Sequence, residues 1–439
     1  MTVVSFPEAR HIVEQQARQL APPGVEAVDL LQAPGRVLAE PLVADRDFPP
    51  FARAVRDGYA VRSADLAVLP ARLQVAGEIK AGAPPESFQG RICPGQAVEI
   101  MTGAPLPPGA DSVVMVEYTS RDGDLLTVTR TTQPGENFVP QGAEARAGDR
   151  ILAGGARIQE AVVALAASVG KTSLRVYRQP EVAIVATGDE LVEIGGQPGP
   201  NEIRNSNSYS LAVQVASAGA CPLILPVARD EASQLRALIL RGLASDLLLL
   251  TGGVSLGKYD LVEQVLEELK AEFFFTGALI QPGKPVVFGK CDAPPPALDT
   301  GMSALPAGAP PPQQATSGLA GDPSGSSRFF FGLPGNPLST MVTFDLFVRP
   351  MLDAMSGAGP RPLVFVQARL KSETRVKSGL TRFLPAVLGG EFEQAEVEPI
   401  RWQGSGDVGA GARANCYLVV PPDRECLTAG EPVSILLKI

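Results

Sequence analysis

Residues 247–270 read LLLLTGGVSLGKYDLVEQVLEELK, and the order of their parts decides the fold class. Four consecutive leucines suit a strand buried on both faces. Thr251-Gly252-Gly253 breaks the run, and after Asp260 the apolar residues Val262, Val265, Leu266 and Leu269 recur at helical spacing. Asp260 and Glu263 fit the acidic form of a capping box. The unit is strand, glycine-rich turn, helix. Such a turn bares backbone N–H groups beside a helix N-terminus, where anions bind. This one also carries a hydroxyl (Ser255), a cation (Lys258) and a carboxylate (Asp260). Taken by itself, the unit has an equally simple structural meaning, with glycines that turn the chain and an aspartate that caps the helix.

The same pattern repeats on either side. VAIVATGDEL (182–191) is a strand that exits into a polar turn, and a helix over 208–218 ends at Gly219. PLILPVARD (222–230) is a second strand with Asp230 at its exit, followed by a helix over 234–243. FFFTGALIQPGKPVVFG (273–289) follows the central unit. This alternation implies a doubly wound, mostly parallel sheet with right-handed crossovers. Ligands of open α/β sheets bind at the carboxyl ends of the strands. Those ends carry TGDE, ARD, TGGVSLGKYD and QPGK, so Asp189, Glu190, Asp230, Asp260 and Lys284 are expected to face one crevice. Carboxylates gathered in this way repel unless a divalent cation sits among them, and hard oxygen ligands suit Mg2+. Lys284 would offset an oxyanion.

With 439 residues the chain is too long for one core, so roughly two to four domains are expected. Its 45% hydrophobic and 19% charged residues are those of a soluble globular protein. A net charge of −9 argues against nucleic acid as the main partner, which leaves anion binding to local cations and helix ends. No apolar run reaches transmembrane length, and MTVVSFPEAR lacks a signal-peptide core. Five scattered cysteines without a C-x-x-C pair fit a reduced, cytoplasmic setting. The single histidine, His11, reads as a surface or packing residue, which makes histidine acid–base chemistry and histidine-rich zinc sites improbable.

Elsewhere, SFPE (5–8) is a capping-box start for a helix to about Leu20. In DFPPFARAVRDGYAV (47–61), Pro49-Pro50 forces an extended approach and Asp57-Gly58 a turn. Short β runs with frequent Gly and Pro fill 71–130, and Thr102 sits at a glycine turn in MTGAPLPPGAD. Residues 291–328 hold proline-rich runs without lysine or aromatic residues, the composition of a disordered insertion joining two strands. FFFGLPGNPLSTMVTFDLFVRPML (329–352) is a strand, a turn and a helix opened by Asn336-Pro337, with Ser339 in the first turn. From Arg361 onward the chain is β-like again. The expected division is a discontinuous helical and β linker domain (1–44 and 145–178) and a small β module (45–144). A doubly wound α/β domain (179–354, interrupted at 291–328) and a C-terminal β domain (355–439) complete it.

PPFARAVRDGYAV, EIMTGAPLPPGADSVV, VATGDEL, IRNSNSYSL, LLLLTGGVSLGKYDLV, QPGKPVVFG and FGLPGNPLST together resemble the molybdopterin molybdenumtransferase family, which includes the E domain of gephyrin. Each motif alone is weak, but seven in the family's order span most of the chain. The resemblance implies elongated homodimers of four-domain subunits that insert molybdate into adenylylated molybdopterin and release AMP with Mg2+. It also implies that the β module of one subunit faces the doubly wound domain of the other. Carried over motif by motif, it assigns catalytic roles to Asp57, Thr102, Glu190, Asp230, Asp260 and Lys284. Glu190, Asp230 and Asp260 become metal ligands. Gly252, Gly253, Ser255, Pro285, Ser339, Arg382 and Ser405 become substrate contacts.

The chain departs from the family pattern in three places. Ala52, Arg53 and Ala54 replace an Asp-Asn-Ser run before the DGYA turn, which adds positive charge there. Gln281 stands for a lysine before PGKP, and Leu380 for an arginine, with Arg382 the nearest substitute. Product transfer to a molybdoenzyme, or contact with the adenylyltransferase that makes the substrate, would follow from the family role. Two other functions use similar parts: an adenylyltransferase, which would need only the doubly wound domain, and a gephyrin-like scaffold without turnover. The flanking modules weigh against the first and the full acidic set against the second.

Overall fold

The computed structural model describes residues 2–20, 24–84, 88, 90–253, 261–292 and 327–438. They form two compact units, one of Met1–Glu26, Gly35–Val37 and Val176–Ile439, the other of Ala27–Pro34 and Leu38–Arg175. Among the described residues no helix is long and apolar enough to cross a membrane.

The chain begins with helix α1 (Phe6–Ala17), whose N-cap Ser5 hydroxyl accepts the Glu8 N–H at 3.4 Å. Ala9, Val13 and Ala17 form its buried stripe, while His11 lies on the exposed side. The sequence grouping placed this segment with 145–178. The structure instead packs its apolar stripe into the core of the larger unit, with Val182, Phe275 and Phe347.

The smaller unit is built on six strands: β1 (Gly58–Val61), β2 (Ala71–Ile79), β3 (Gln96–Ile100), β4 (Ser112–Met115), β5 (Thr119–Asp122) and β6 (Leu125–Val128). They form one sheet in the order β4-β1-β3-β2-β6-β5. Alternation along β2 turns Ala71, Leu73 and Val75 into a core shared with Tyr59, Val114 and Leu126. The glycine of DGYA is needed at this spot, because a Cβ on Gly58 would lie 1.9 Å from the Val114 carbonyl oxygen of the neighbouring strand. Helix α2 (Glu160–Ser168) belongs to the same unit.

In the larger unit come β7 (Glu181–Ala186), α3 (Asn207–Ser217), β8 (Cys221–Ile224), α4 (Ala232–Gly242), β9 (Leu247–Thr251) and α5 (Leu261–Glu268). They are followed by β10 (Glu272–Phe275), β11 (Ile280–Gln281), β12 (Val287–Asp292) and β13 (Ser327–Leu333). Six of these strands form a sheet in the order β8-β7-β9-β13-β12-β10. The first four are mutually parallel, and β12 and β10 close the edge antiparallel.

The four leucines behave as a doubly covered strand should. Leu247 and Leu249 enter a core with Leu211 and Val215 of α3 and with α1. Leu248 and Leu250 point the other way, to Leu235 and Ile239 of α4 and Val265 of α5. Of the insertion expected over 291–328, the four described residues belong to strands instead. Cys291 pairs with Arg328 and Asp292 with Ser327, extending the β12–β13 ladder to its last rungs. Residues 293–326 lie outside the described residues.

After β13 the chain forms α6 (Pro337–Thr343), a π turn at Phe344–Val348 and α7 (Arg349–Met355). The C-terminal part contains β14 (Phe365–Leu370), β15 (Thr381–Gly389), β16 (Glu396–Pro399), α8 (Val408–Arg413), β17 (Cys416–Val420) and β18 (Pro432–Leu437). Its sheet runs β11-β15-β16-β14-β18-β17, and the β15–β17 pairing closes it into a small barrel. The family resemblance therefore leads to the architecture observed, a multidomain α/β chain with a doubly wound sheet and separate β parts.

Candidate active site

Chain order and sheet order together locate the crevice. The first strand of the doubly wound sheet, β7, leads through α3 to β8 on one side. The chain then crosses back to β9 on the other side. The carboxyl ends of β7 and β9 therefore flank the topological switch point, where the connecting segments diverge and leave a gap. A cleft of about 560 Å³ opens there. Thr187, Gly188 and Glu190 line it from the exit of β7, Asp230 from beyond β8, and Thr251, Gly252 and Gly253 from β9. The turn after β13 adds Pro334, Gly335 and Asn336, and the loop before β12 adds Pro285.

Hydrogen bonds tie these exits together. The Thr187 hydroxyl donates to Asp230 Oδ1 at 3.3 Å, and the Asp230 N–H donates to Asp189 Oδ1 at 3.2 Å. Asn207, at the start of α3, donates from Nδ2 to Thr251 Oγ1 at 3.0 Å and to the Gly335 carbonyl at 2.8 Å. Backbone geometry makes the close approach possible. Gly252 has φ +87°, and a Cβ on it would stand 2.3 Å from the Thr187 carbonyl oxygen. The barrel contributes too: the Ser405 carbonyl accepts the Leu338 N–H at 2.9 Å, capping α6, and Gly406 lines the cleft.

Three consecutive stretches match known families: the MoeA N-terminal region (domain I and II) over residues 4–170, the probable molybdopterin binding domain over 183–354, and the MoeA C-terminal region (domain IV) over 367–438. A molybdopterin molybdenumtransferase of Nostoc sp. is 33% identical over 423 residues, 94% of this chain and 88% of that protein. The chain belongs to the molybdopterin molybdenumtransferase family. A Bacillus subtilis protein of the same name is 32% identical over 92% of this chain and 87% of its own length. Among solved structures, a molybdopterin biosynthesis MoeA protein from Pyrococcus horikoshii is 31% identical with a TM-score of 0.68, covering 99% of both chains. Another from that organism is 26% identical with a TM-score of 0.73, covering 99% of this chain and all of its own.

Of the residues this molybdenumtransferase family member was expected to gather, Glu190, Asp230, Gly252, Gly253 and Pro285 line the cleft. Ser255, Lys258 and Asp260 lie outside the described residues. Four expected contacts take other places. Lys284 is exposed and is not among the residues lining the cleft; its carbonyl is held by the Ala278 and Val286 N–H groups, and the wall is Pro285. Ser339 is 4% exposed and is not among the residues lining the cleft. Arg382 is buried, donates from Nε to the Lys377 carbonyl at 3.1 Å, and is held below the ordinary arginine pKa by that burial. Ser405 contributes a backbone carbonyl, and its neighbour Gly406 contributes the surface. Residues the motifs did not single out are also at the cleft: Thr187, Arg204, Asn207 and Thr251. All four lie in quoted motifs, Thr187 in VATGDEL, Thr251 in LLLLTGG and Arg204 and Asn207 in IRNSNSYSL, but none was given a role there.

Glu190 and Asp230 are the described carboxylates lining the cleft that could hold a divalent ion. Among the described residues no three His, Cys, Asp or Glu side chains converge to hold an ion. Mg2+ keeps most of its waters and is commonly bound by one or two carboxylates plus substrate phosphates, which is what Glu190 and Asp230 offer.

In the smaller unit, Asp57 and Thr102 meet. Asp57 Oδ1 accepts the Thr102 N–H at 2.6 Å and its hydroxyl at 2.7 Å. These bonds favour the charged form and hold the carboxyl below its ordinary pKa, the backbone bond most. The sign follows. Because the folded value is depressed, the bonds stabilise the fold above the unfolded pKa, and the contribution is lost as pH falls through the folded value. Thr102→Val, which removes the hydroxyl and keeps the N–H, should move the Asp57 titration upward while leaving it below the ordinary aspartate value. Carboxyl 13C NMR against pH measures this, and an unmoved titration would contradict the assigned cause.

Proposed function

We propose that this chain inserts molybdate into adenylylated molybdopterin and releases AMP at the strand-exit cleft. The observation that supports this most is that Glu190 and Asp230, from the exits of two neighbouring parallel strands, wall the same cleft. Glu190 and Asp230 would hold Mg2+, joined by Asp260 as the sequence motif implies. The ion would offset the charge of the phosphate linkage that is cleaved. The remaining work falls to the chain's own groups. Thr187 fixes the Asp230 carboxylate, and Gly252 and Gly253 let a phosphate come close to the backbone. Lys284, next to Pro285 of the wall, supplies charge toward molybdate. A homodimer would bring Asp57 and Thr102 of a second copy to this cleft, in a cytoplasmic protein that passes its product to a molybdoenzyme.

Purified protein given adenylylated molybdopterin, Mg2+ and molybdate should release AMP only when molybdate is present. Consumption of ATP in its place would indicate the adenylyltransferase, and binding without turnover a scaffold. Removing Mg2+ with a chelator should stop the release, and adding it back should restore it.

A further inference from the structure

The cleft is acidic, yet the ligand proposed for it carries phosphate. Apart from any ion and the backbone N–H groups of the turn, a cation would strengthen the hold on that group. Among the described lining residues one side chain is cationic, Arg204. It sits in the segment between β7 and α3, three residues before Asn207, and it is solvent-exposed. Its Nε donates to the Ile194 carbonyl at 3.1 Å and to the Gly196 carbonyl at 3.2 Å. Two acceptors on one nitrogen fix the plane of the guanidinium at the cleft wall. Among the described residues no carboxylate pairs with it, although Glu190 and Asp230 line the same cleft.

An arginine held by neutral carbonyls keeps its full charge for another partner. Its planar fork also matches the oxygens of a phosphate better than an ammonium does. Lys284, one of two lysines the sequence pointed to, is not among the residues lining the cleft. Resting on the functional reading above, we propose that Arg204 is a specificity-determining residue that grips the phosphate of the adenylylated substrate. It would contribute to recognition of the nucleotide end and leave molybdate recognition to other groups.

Titration calorimetry with AMP, adenosine and inorganic pyrophosphate, on the full-length protein and on Arg204→Gln and Arg204→Lys, tests this. Arg204→Gln should weaken AMP and pyrophosphate by about tenfold or more, leave adenosine unchanged, and flatten the salt dependence of AMP binding. Arg204→Lys should recover part of the loss. In turnover, Arg204→Gln should raise KM for the adenylylated substrate and leave KM for molybdate as it was. A melting temperature within a few degrees of the parent separates this from a merely structural role in holding 194–196. Undiminished AMP binding in Arg204→Gln, or equal losses for AMP and adenosine, would overturn the proposal and leave the functional reading standing. Wild-type protein that binds AMP through Arg204 but releases none from the adenylylated substrate would overturn the functional reading alone. Wild-type protein that binds none of the three overturns both.

Discussion

Glu190→Ala and Asp230→Ala should each lower molybdate-dependent AMP release by about 10²–10⁴-fold, the range for loss of a group that acts on the reacting charge. Both side chains are exposed at the cleft, so neither substitution opens a cavity, although Asp230→Ala removes the acceptor of the buried Thr187 hydroxyl. Glu190→Ala should stay within about 0.5 kcal/mol of the parent, and the lost hydrogen bond should add about 1 kcal/mol for Asp230→Ala. The melting temperature should therefore hold while activity collapses. Elevated Mg2+ should partly rescue each single variant, because one carboxylate remains, and should not rescue the double variant. Measuring AMP release against Mg2+ concentration decides the matter. Near-normal turnover in either variant would remove that carboxylate from the chemistry. Asp260→Ala, outside the described residues, belongs in the same series.

The second large effect is structural. Gly252→Ala should destabilise the protein by about 3 kcal/mol or more and abolish turnover with it. The residue sits at φ +87°, where an L side chain is strained. The new methyl would meet the Thr187 carbonyl oxygen at 2.3 Å. That carbonyl cannot swing aside cheaply, because the Thr187 N–H is bonded to the Thr251 carbonyl at 2.9 Å, which locks the exits of β7 and β9 together. Gly253→Ala, at φ +63°, should cost less, since its methyl would meet side-chain methyls of Val262 at 2.9 Å and Thr187 at 3.0 Å and no backbone carbonyl. Urea denaturation of the two variants gives the ordering, and equal stabilities would refute it. Together the carboxylate and glycine variants separate the groups that act from the backbone that places them.

Much of this was legible in the residues. Four leucines in a row allowed a strand covered on both faces, and the structure divides them alternately between two cores. The polar strand exits marked the edge of the sheet where Glu190 and Asp230 meet. Side-chain direction was not legible. Lys284 and Ser339 occupy motif positions and Arg382 stands beside one, but whether a side chain faces a cleft or its own domain depends on loop and barrel geometry that spacing does not encode. Arg204 and Asn207 lay in the quoted motif IRNSNSYSL but received no role, because a polar run before a helix normally means capping. The partner of α1 was equally hidden, because an amphipathic stripe shows that a helix is buried without showing against what.

The β12–β13 ladder bears on how the chain tolerates variation. β13 runs parallel to β7 and β9, so its first residue, Ser327, stands at the opposite edge of the sheet from the strand exits that line the cleft. The chain leaves from Asp292 and returns at Ser327 across a single rung. Lengthening a connection adds only about 0.6 kcal/mol of closure entropy per doubling. The junction is thus a back door, where new sequence can be spliced in or trimmed away with the chemistry on the far side undisturbed.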